Sequence, residues 1–314
     1  MSDKKGTATV VKHTGSHYLL SELPSWNLFP AVMRGKIRLK GVTTTNPVAV
    51  GDVVDYTFDG TMGTIDKIYP RRNYIIRKST NLSRENHIIA ANLDRVFLVV
   101  TIAFPEVKLA FVDRFLVTCQ AYGVPVTILI NKCDLCADDA FDAAVKSFEE
   151  IYEGAGYECI EVSARNGLNI NRVKELCSGS LSLFSGVSGV GKSSLIKAID
   201  PAIDAKTGEI SMAHLQGRHT TTFYEMYPVD GGEGGFIIDT PGIRGFGLVD
   251  LGNEELSAYF PEMLRVMDGC RFKPCTHTHE PHCAVKEAVE AGEISAERYN
   301  SYLGMLEEET KYRK

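Results

Sequence analysis

The stretch Ser180-Leu181-Ser182-Leu183-Phe184-Ser185-Gly186-Val187-Ser188-Gly189-Val190-Gly191-Lys192-Ser193-Ser194-Leu195 decides the fold. Leu181 to Phe184 reads as a short buried strand. Gly186, four residues, Gly191, Lys192 and Ser193 then match the phosphate-binding loop, and Ser194 to Ile199 opens a helix. A strand before and a helix after are the context this motif requires. Glycines let backbone N–H groups wrap phosphate oxygens with no Cβ in the way, and the helix start adds its dipole and unpaired donors. Lys192 is expected to reach the β- and γ-phosphates, and the Ser193 hydroxyl to take a place on Mg²⁺.

Working outward, buried strands alternate with helices from Leu93 onward. Val96–Ile102 and Val124–Ile130 are near-continuous apolar runs, as in strands covered on both faces. Lys108–Tyr122 and Asp139–Gly154 supply helices, and Cys159–Val162 and Gly235–Ile238 supply further strands. That pattern predicts a doubly wound α/β domain with ligands at the carboxyl ends of its strands. Three loops at such ends carry chemistry: Asn131-Lys132-Cys133-Asp134, Ser163-Ala164-Arg165 and Asp239-Thr240-Pro241-Gly242. The first reads guanine, because the Asp134 carboxylate can accept from both N1–H and the exocyclic amine. Adenine would leave that acceptor unpaired, at a cost that gives strong discrimination. Asn131 is expected to hold the loops and Lys132 to pack its stem along the base. Backbone groups of Ser163–Arg165 would meet the guanine oxygen, Asp239 would hold Mg²⁺ through water, and the Gly242 N–H would face the γ-phosphate.

Before this domain, residues 8–77 are short β-rich runs: Thr9–Val11, Tyr18–Leu20, Ala31–Leu39, Val53–Phe58 and Gly63–Ile68. They suggest a small closed barrel of the oligonucleotide-binding type. Arg34, Lys36, Arg38 and Lys40 alternate with Gly35, Ile37, Leu39 and Gly41, so one strand face carries four cations suited to a phosphate backbone. Arg71, Arg72, Arg77 and Lys78 read as a basic linker, and Ser79–Asn92 as an exposed connector. Residues 1–80 hold twelve Lys/Arg against six Asp/Glu, a net +6, which leaves −12 on the remainder of a chain of net −6. A basic first domain on an acidic body points to an anionic partner at one end.

After the α/β domain comes Cys270-x₄-Cys275-x-His277-x₅-Cys283. Three thiolates and one imidazole make a closed tetrahedral set for structural zinc, with His279 and His282 as neighbouring alternatives. Asn253–Met267 and Ser295–Glu309 read as helices, the second N-capped by Ser295 with Ile294, Tyr299, Leu303 and Leu306 as an apolar packing side. Cys133-x-x-Cys136 overlaps the guanine loop, which argues against a redox pair. The longest apolar run, Val96–Phe104, is too short to span a bilayer, and the N-terminus shows no apolar signal segment. Cytoplasmic residence, no membrane partner and a monomer are the expectations.

The motif order is unusual, with Asn-Lys-x-Asp and Ser-Ala-Arg ahead of the phosphate loop and Asp-Thr-Pro-Gly last. It looks like a circularly permuted GTPase, an arrangement tolerable where the original termini lie close together. With a barrel before and a Cys/His cluster after, the chain resembles the ribosome small-subunit-dependent GTPase A family over residues 8–305. The resemblance rests on residues 186–195, on Gly-Arg-His-Thr-Thr-Thr at 217–222, on Asp-Thr-Pro-Gly-Ile-Arg at 239–244 and on the zinc pattern. It implies GTP hydrolysis, stimulated by the small ribosomal subunit and its rRNA, during late maturation of that subunit. The expected architecture is multidomain: an RNA-facing barrel (1–78), the permuted GTPase domain (79–245) and a mainly α zinc module (246–314). Since Asp239–Gly242 leads directly into that last module, nucleotide state can bias its orientation. Ile243 stands where many GTPases place a water-orienting Gln, so intrinsic turnover should be slow. His219 is the candidate for the missing polar group, and Thr221, with Thr220 and Thr222 as alternatives, for completing Mg²⁺ coordination. A GTP timer for another assembly and a module holding GTP without hydrolysis are the competing readings.

Overall fold

The computed structural model describes residues 4–14, 17–33, 47–78, 86–135, 138–203, 224–240 and 255–312. The predicted cationic strand face at 34–40, His219 with its three threonines, Gly242, Ile243 and Cys136 lie outside the described residues.

Five strands close the barrel: β1 (Lys4–Thr14), β2 (His17–Ser21), β3 (Phe29–Met33), β4 (Val53–Phe58) and β5 (Gly63–Ile68). β1 pairs with β2, β2 with β3, β3 in parallel with β5, β5 with β4 and β4 back with β1. Alternation places Ala8, Val10, Leu20, Val54, Tyr56 and Ile65 inside. Each fully buried aliphatic side chain contributes about 1.5–3 kcal/mol. A bulge between Val10 and Lys12 bends β1, so Val10 faces the barrel core while Val11 joins the core of the next domain.

The basic linker and exposed connector expected over 71–92 are corrected by the structure. β6 (Tyr74–Lys78) and β7 (Asn86–Ala91) form an antiparallel pair, and Ile75, Ile89 and Ala90 are wholly buried in the main core. Arg71 is no free linker cation: its Nε and Nη2 bind both oxygens of buried Asp52 at 2.6 and 2.7 Å. Arg72 pairs with Asp94 at 2.7 Å.

The α/β domain uses β8 (Arg95–Val100), α1 (Leu109–Ala121), β9 (Val126–Asn131), α2 (Asp139–Ala155), β10 (Glu158–Val162), α3 (Ile170–Cys177), β11 (Leu181–Ser185), α4 (Lys192–Ile199), β12 (Glu225–Pro228) and β13 (Phe236–Asp239). Its strand order is β10-β9-β8-β11-β13-β12, parallel except for β12. Asp138 caps α2 by accepting from the Phe141 N–H at 2.8 Å, and Gly156 closes it in the left-handed region at φ 103°.

The C-terminal module contains α5 (Pro261–Leu264), α6 (Ala284–Glu290) and α7 (Ala296–Tyr312). The continuous helix expected over 253–267 is a correction. Among the described residues a short 3₁₀ turn, Leu256–Tyr259, gives way to α5 at Pro261, because proline lacks the N–H to continue the preceding turn and suits a first helical position. Ser295 Oγ accepts from the Arg298 N–H at 3.4 Å at the start of α7. Ile294 is buried, and Tyr299, Leu303 and Leu306 pack on the same core, which reaches Val117 of α1.

Candidate functional site

The β11–α4 loop is shaped by positions that cannot carry a side chain. Gly186 has φ 151°, and a Cβ there would lie 2.3 Å from the Val99 carbonyl oxygen. Gly191, the residue before α4, has φ 94°, and a Cβ there would lie 2.5 Å from Asn131 Nδ2. The loop therefore sits tight against the ends of β8 and β9. Lys192 is 7% exposed, with Nζ donating to the Gly186 and Val187 carbonyls at 2.8 and 3.1 Å. Its ammonium thus lies within the loop that precedes it. Burial lowers its pKa, against the pull of Asp239. Ser193 is half-buried in the first turn of α4, and Ser194 is exposed.

The guanine-type loop is tied to this one by two of its own side chains. Asn131 Nδ2 donates to the Val190 carbonyl at 2.7 Å. Lys132, at φ 68°, donates to the Gly189 and Phe104 carbonyls at 2.7 and 2.6 Å. Asp134 Oδ1 accepts from Ser163 Oγ at 2.6 Å, and Ser163 Oγ in turn accepts from the Arg165 and Asn166 N–H groups at 3.2 and 3.3 Å. Arg165 lies 3.8 Å from Asp134 but is 80% exposed, so it adds little to holding the carboxylate. Cys133 Sγ donates to the Ile130 carbonyl at 3.2 Å, and burial pushes its thiol up to about 12, far from a reactive thiolate.

Asn131, Lys132, Asp134, Ala164, Arg165, Gly191 and Ser194 line one cavity of about 640 Å³. Leu135, Lys197 and Ala198 complete its wall and were missed from sequence. Lys197 and Ala198 fall three and four residues after Ser194, so helical spacing was the available signal. Phe104 offered no such signal, because its role is a backbone carbonyl accepting from Lys132 that no motif announces.

At the end of β13, Asp239 has a buried Oδ1 with no hydrogen-bond partner among the described residues. Burial pushes its carboxyl up to about 6, against the pull of Lys192. An orphaned buried carboxylate oxygen beside a buried ammonium fits a hydrated divalent cation, which would favour the ionised form. Ser193 and Asp239 would hold Mg²⁺, which supplies neutralisation of phosphate charge when bound. Thr240 Oγ1 anchors the next turn on the Phe184 carbonyl at 2.9 Å.

A second centre lies in the C-terminal module. The donor atoms of Cys270, Cys275, His277 and Cys283 all lie within 4.8 Å of one another. Cys270 Sγ is 3.8 Å from Cys283 Sγ and 3.6 Å from His277 Nδ1, and His277 Nδ1 is 3.3 Å from Cys283 Sγ. Zn–S bonds of about 2.3 Å in a tetrahedron require S···S near 3.8 Å, so the donor set fits zinc. Tyr299 and Tyr302 hydroxyls donate to the carbonyls of His277 and Thr276 at 2.6 and 2.7 Å, fastening the ligand loop to α7. His279 and His282, the alternatives, are exposed and outside the cluster.

The model of the RsgA GTPase family matches residues 68–249. The small ribosomal subunit biogenesis GTPase RsgA of Flavobacterium johnsoniae is 47% identical over 98% of this chain and 95% of its own. The small ribosomal subunit biogenesis GTPase RsgA 2 of Bacteroides thetaiotaomicron is 50% identical over 97% of this chain and 98% of its own. Among solved structures, YjeQ from Thermotoga maritima superposes with a TM-score of 0.78 at 34% identity, covering 97% of this chain and 98% of that one. YloQ, described as a circularly permuted GTPase, gives 0.72 at 29% identity, covering 99% and 96%.

Proposed function

The chain belongs to the RsgA GTPase family, and we propose that it hydrolyses GTP as a maturation factor of the small ribosomal subunit, which stimulates its turnover. The observation that carries this reading is one cavity lined by Asn131, Asp134, Ala164 and Gly191, the last of them at the end of the phosphate loop, with Asp239 acting electrostatically on Lys192 of that loop. Asp134, held by Ser163, selects guanine. Lys132 and Asn131 brace the phosphate loop, which with Lys192 binds the phosphates. Ser193, Asp239 and Thr221 hold Mg²⁺. His219 supplies the polar group that Ile243 lacks for orienting water.

The basic balance of residues 1–80, with Arg34, Lys36, Arg38 and Lys40, supports an rRNA-facing barrel. No helix among the described residues is long and apolar enough to cross a membrane. The working form is a monomer in the cytoplasm, carrying one structural zinc on Cys270, Cys275, His277 and Cys283.

The test is GTP turnover of the protein alone, then with purified small subunits, large subunits and free rRNA. Stimulation by small subunits alone of about a hundredfold, roughly 3 kcal/mol of barrier, is the expected result. Equal stimulation by all three, or by none, would overturn the assignment of partner.

A further inference from the structure

β1 leaves β4 after Thr9, and beyond the bulge at Val11 its free edge takes one residue of β12. That residue is Glu225, directly opposite Lys12, and the two side chains form an ion pair at 2.8 Å. Glu225 is in turn directly opposite Asp239 of β13, and Asp239 is opposite Phe184 of β11, two residues before Gly186. One rung of a continuous sheet thus runs from the barrel, through the carboxylate on the Mg²⁺ side, to the phosphate-loop strand. The other end of β13 also touches the barrel side. Trp26 stacks on Phe236 with ring centroids 5.6 Å apart.

Among the described residues the β1–β12 ladder is one residue pair long, so main-chain bonding there gives it little hold on register. The Lys12–Glu225 pair, with side chains 29% and 36% exposed, is the specific contact at that rung. A pair about a third open to solvent is weak enough to make and break as a sheet edge shifts. A contact of that grade between two sites suits transmission of state better than static support.

We infer that Lys12 and Glu225 are positioning residues that couple the barrel to Asp239, so that the nucleotide held at the end of β13 sets how the barrel is presented to its anionic partner. The inference rests on the functional reading above for the nature of that partner. It does not depend on it for the coupling itself.

Trp26 is the sole tryptophan of the chain, so its emission reports on the junction in the full-length protein. The wild type, loaded with Mg²⁺ and either a non-hydrolysable GTP analogue or GDP, should show two distinct emission spectra. Glu225→Ala and Lys12→Ala should collapse that difference while nucleotide affinity is unchanged. The charge exchange Lys12→Glu with Glu225→Lys should restore it, which a merely structural role for either side chain would not predict. In hydrolysis assays, Glu225→Ala should lose small-subunit stimulation by roughly tenfold with turnover of the protein alone unaltered, a loss in the range of coupled sites. Identical wild-type spectra, an undiminished difference in Glu225→Ala, or failure of the charge exchange to restore it would overturn the coupling. Absence of subunit stimulation in the wild type would count against the functional reading alone, because the emission measurement uses nucleotide only.

Discussion

Arg298 of α7 donates to Asp113 of α1 at 2.8 Å, with both side chains at most 1% exposed. The same guanidinium grips Glu262 of α5 through Nε and Nη2 at 2.7 and 3.0 Å, and its Cζ lies 4.8 Å from the ring centre of Phe260. One arginine therefore fastens the zinc module to the nucleotide domain. Arg298→Met would leave two carboxylates buried without a counter-charge, and should destabilise by about 3–5 kcal/mol in denaturant titrations. Arg298→Lys should recover only part, since an ammonium cannot supply the planar fork. An unchanged midpoint in Arg298→Met would remove the pair from any structural role.

Asp239 should make nucleotide affinity dependent on pH. Its folded pKa of about 6 lies above the ordinary 3.8, so between those values the folded protein holds the extra proton and this group's contribution to stability falls as pH rises. A bound cation prefers the ionised carboxylate. The Mg²⁺-dependent part of GTP affinity should therefore increase across about pH 5 to 7. Titrations of Asp239→Asn should lose that slope, and a slope that persists would assign it to another group.

Gly191→Ala should abolish nucleotide binding while leaving the fold intact. The added methyl at φ 94° meets Asn131 Nδ2, forcing apart the two loops that the Asn131–Val190 bond joins. Equilibrium binding of a fluorescent GTP analogue, with circular dichroism as the folding control, decides it.

Zinc should copurify at one atom per chain and be lost in Cys275→Ser. Structural zinc couples roughly 10–16 kcal/mol of binding to folding, so chelation should unfold the ligand loop that Tyr299 and Tyr302 fasten to α7. Metal analysis paired with proteolysis of the C-terminal module measures this. Resistance to cleavage after chelation would contradict it.

His219→Ala should retain GTP binding and lose subunit-stimulated hydrolysis. Retained stimulation would transfer the role of orienting water to another residue.

The nucleotide loops were legible in the sequence because their chemistry leaves few alternatives. Gly186 and Gly191 abut other backbone and side-chain atoms, and Asp134 needs a partner such as Ser163. The Cys270–Cys283 donors were legible for the same reason. What stayed hidden depends on partners remote in the chain. Arg71 reads as a linker cation until Asp52 appears beside it, and nothing near Arg298 in the sequence points to its partners Asp113 and Glu262. The β6–β7 pair was masked by its charged flanks at Arg77 and Lys78, although Ile88 and Ile89 already hinted at burial. Pro261, visible all along, broke the helix expected across it.

The junction between β1 and β12 also has a consequence for how the chain is made. Lys12 and Glu225 are separated by 213 positions, which at ribosomal elongation speeds of about 5–20 residues per second means a delay of roughly ten to forty seconds. From the synthesis of Ile68, where the barrel's other pairings end, until that of Glu225, the far end of β1 is an open strand edge on a domain that can already have closed. A nascent barrel with one unsatisfied edge is a template for mispairing. The edge is short, since β1 ends at Thr14, five residues past its last partner on β4, which keeps the exposed template too small to recruit a stranger.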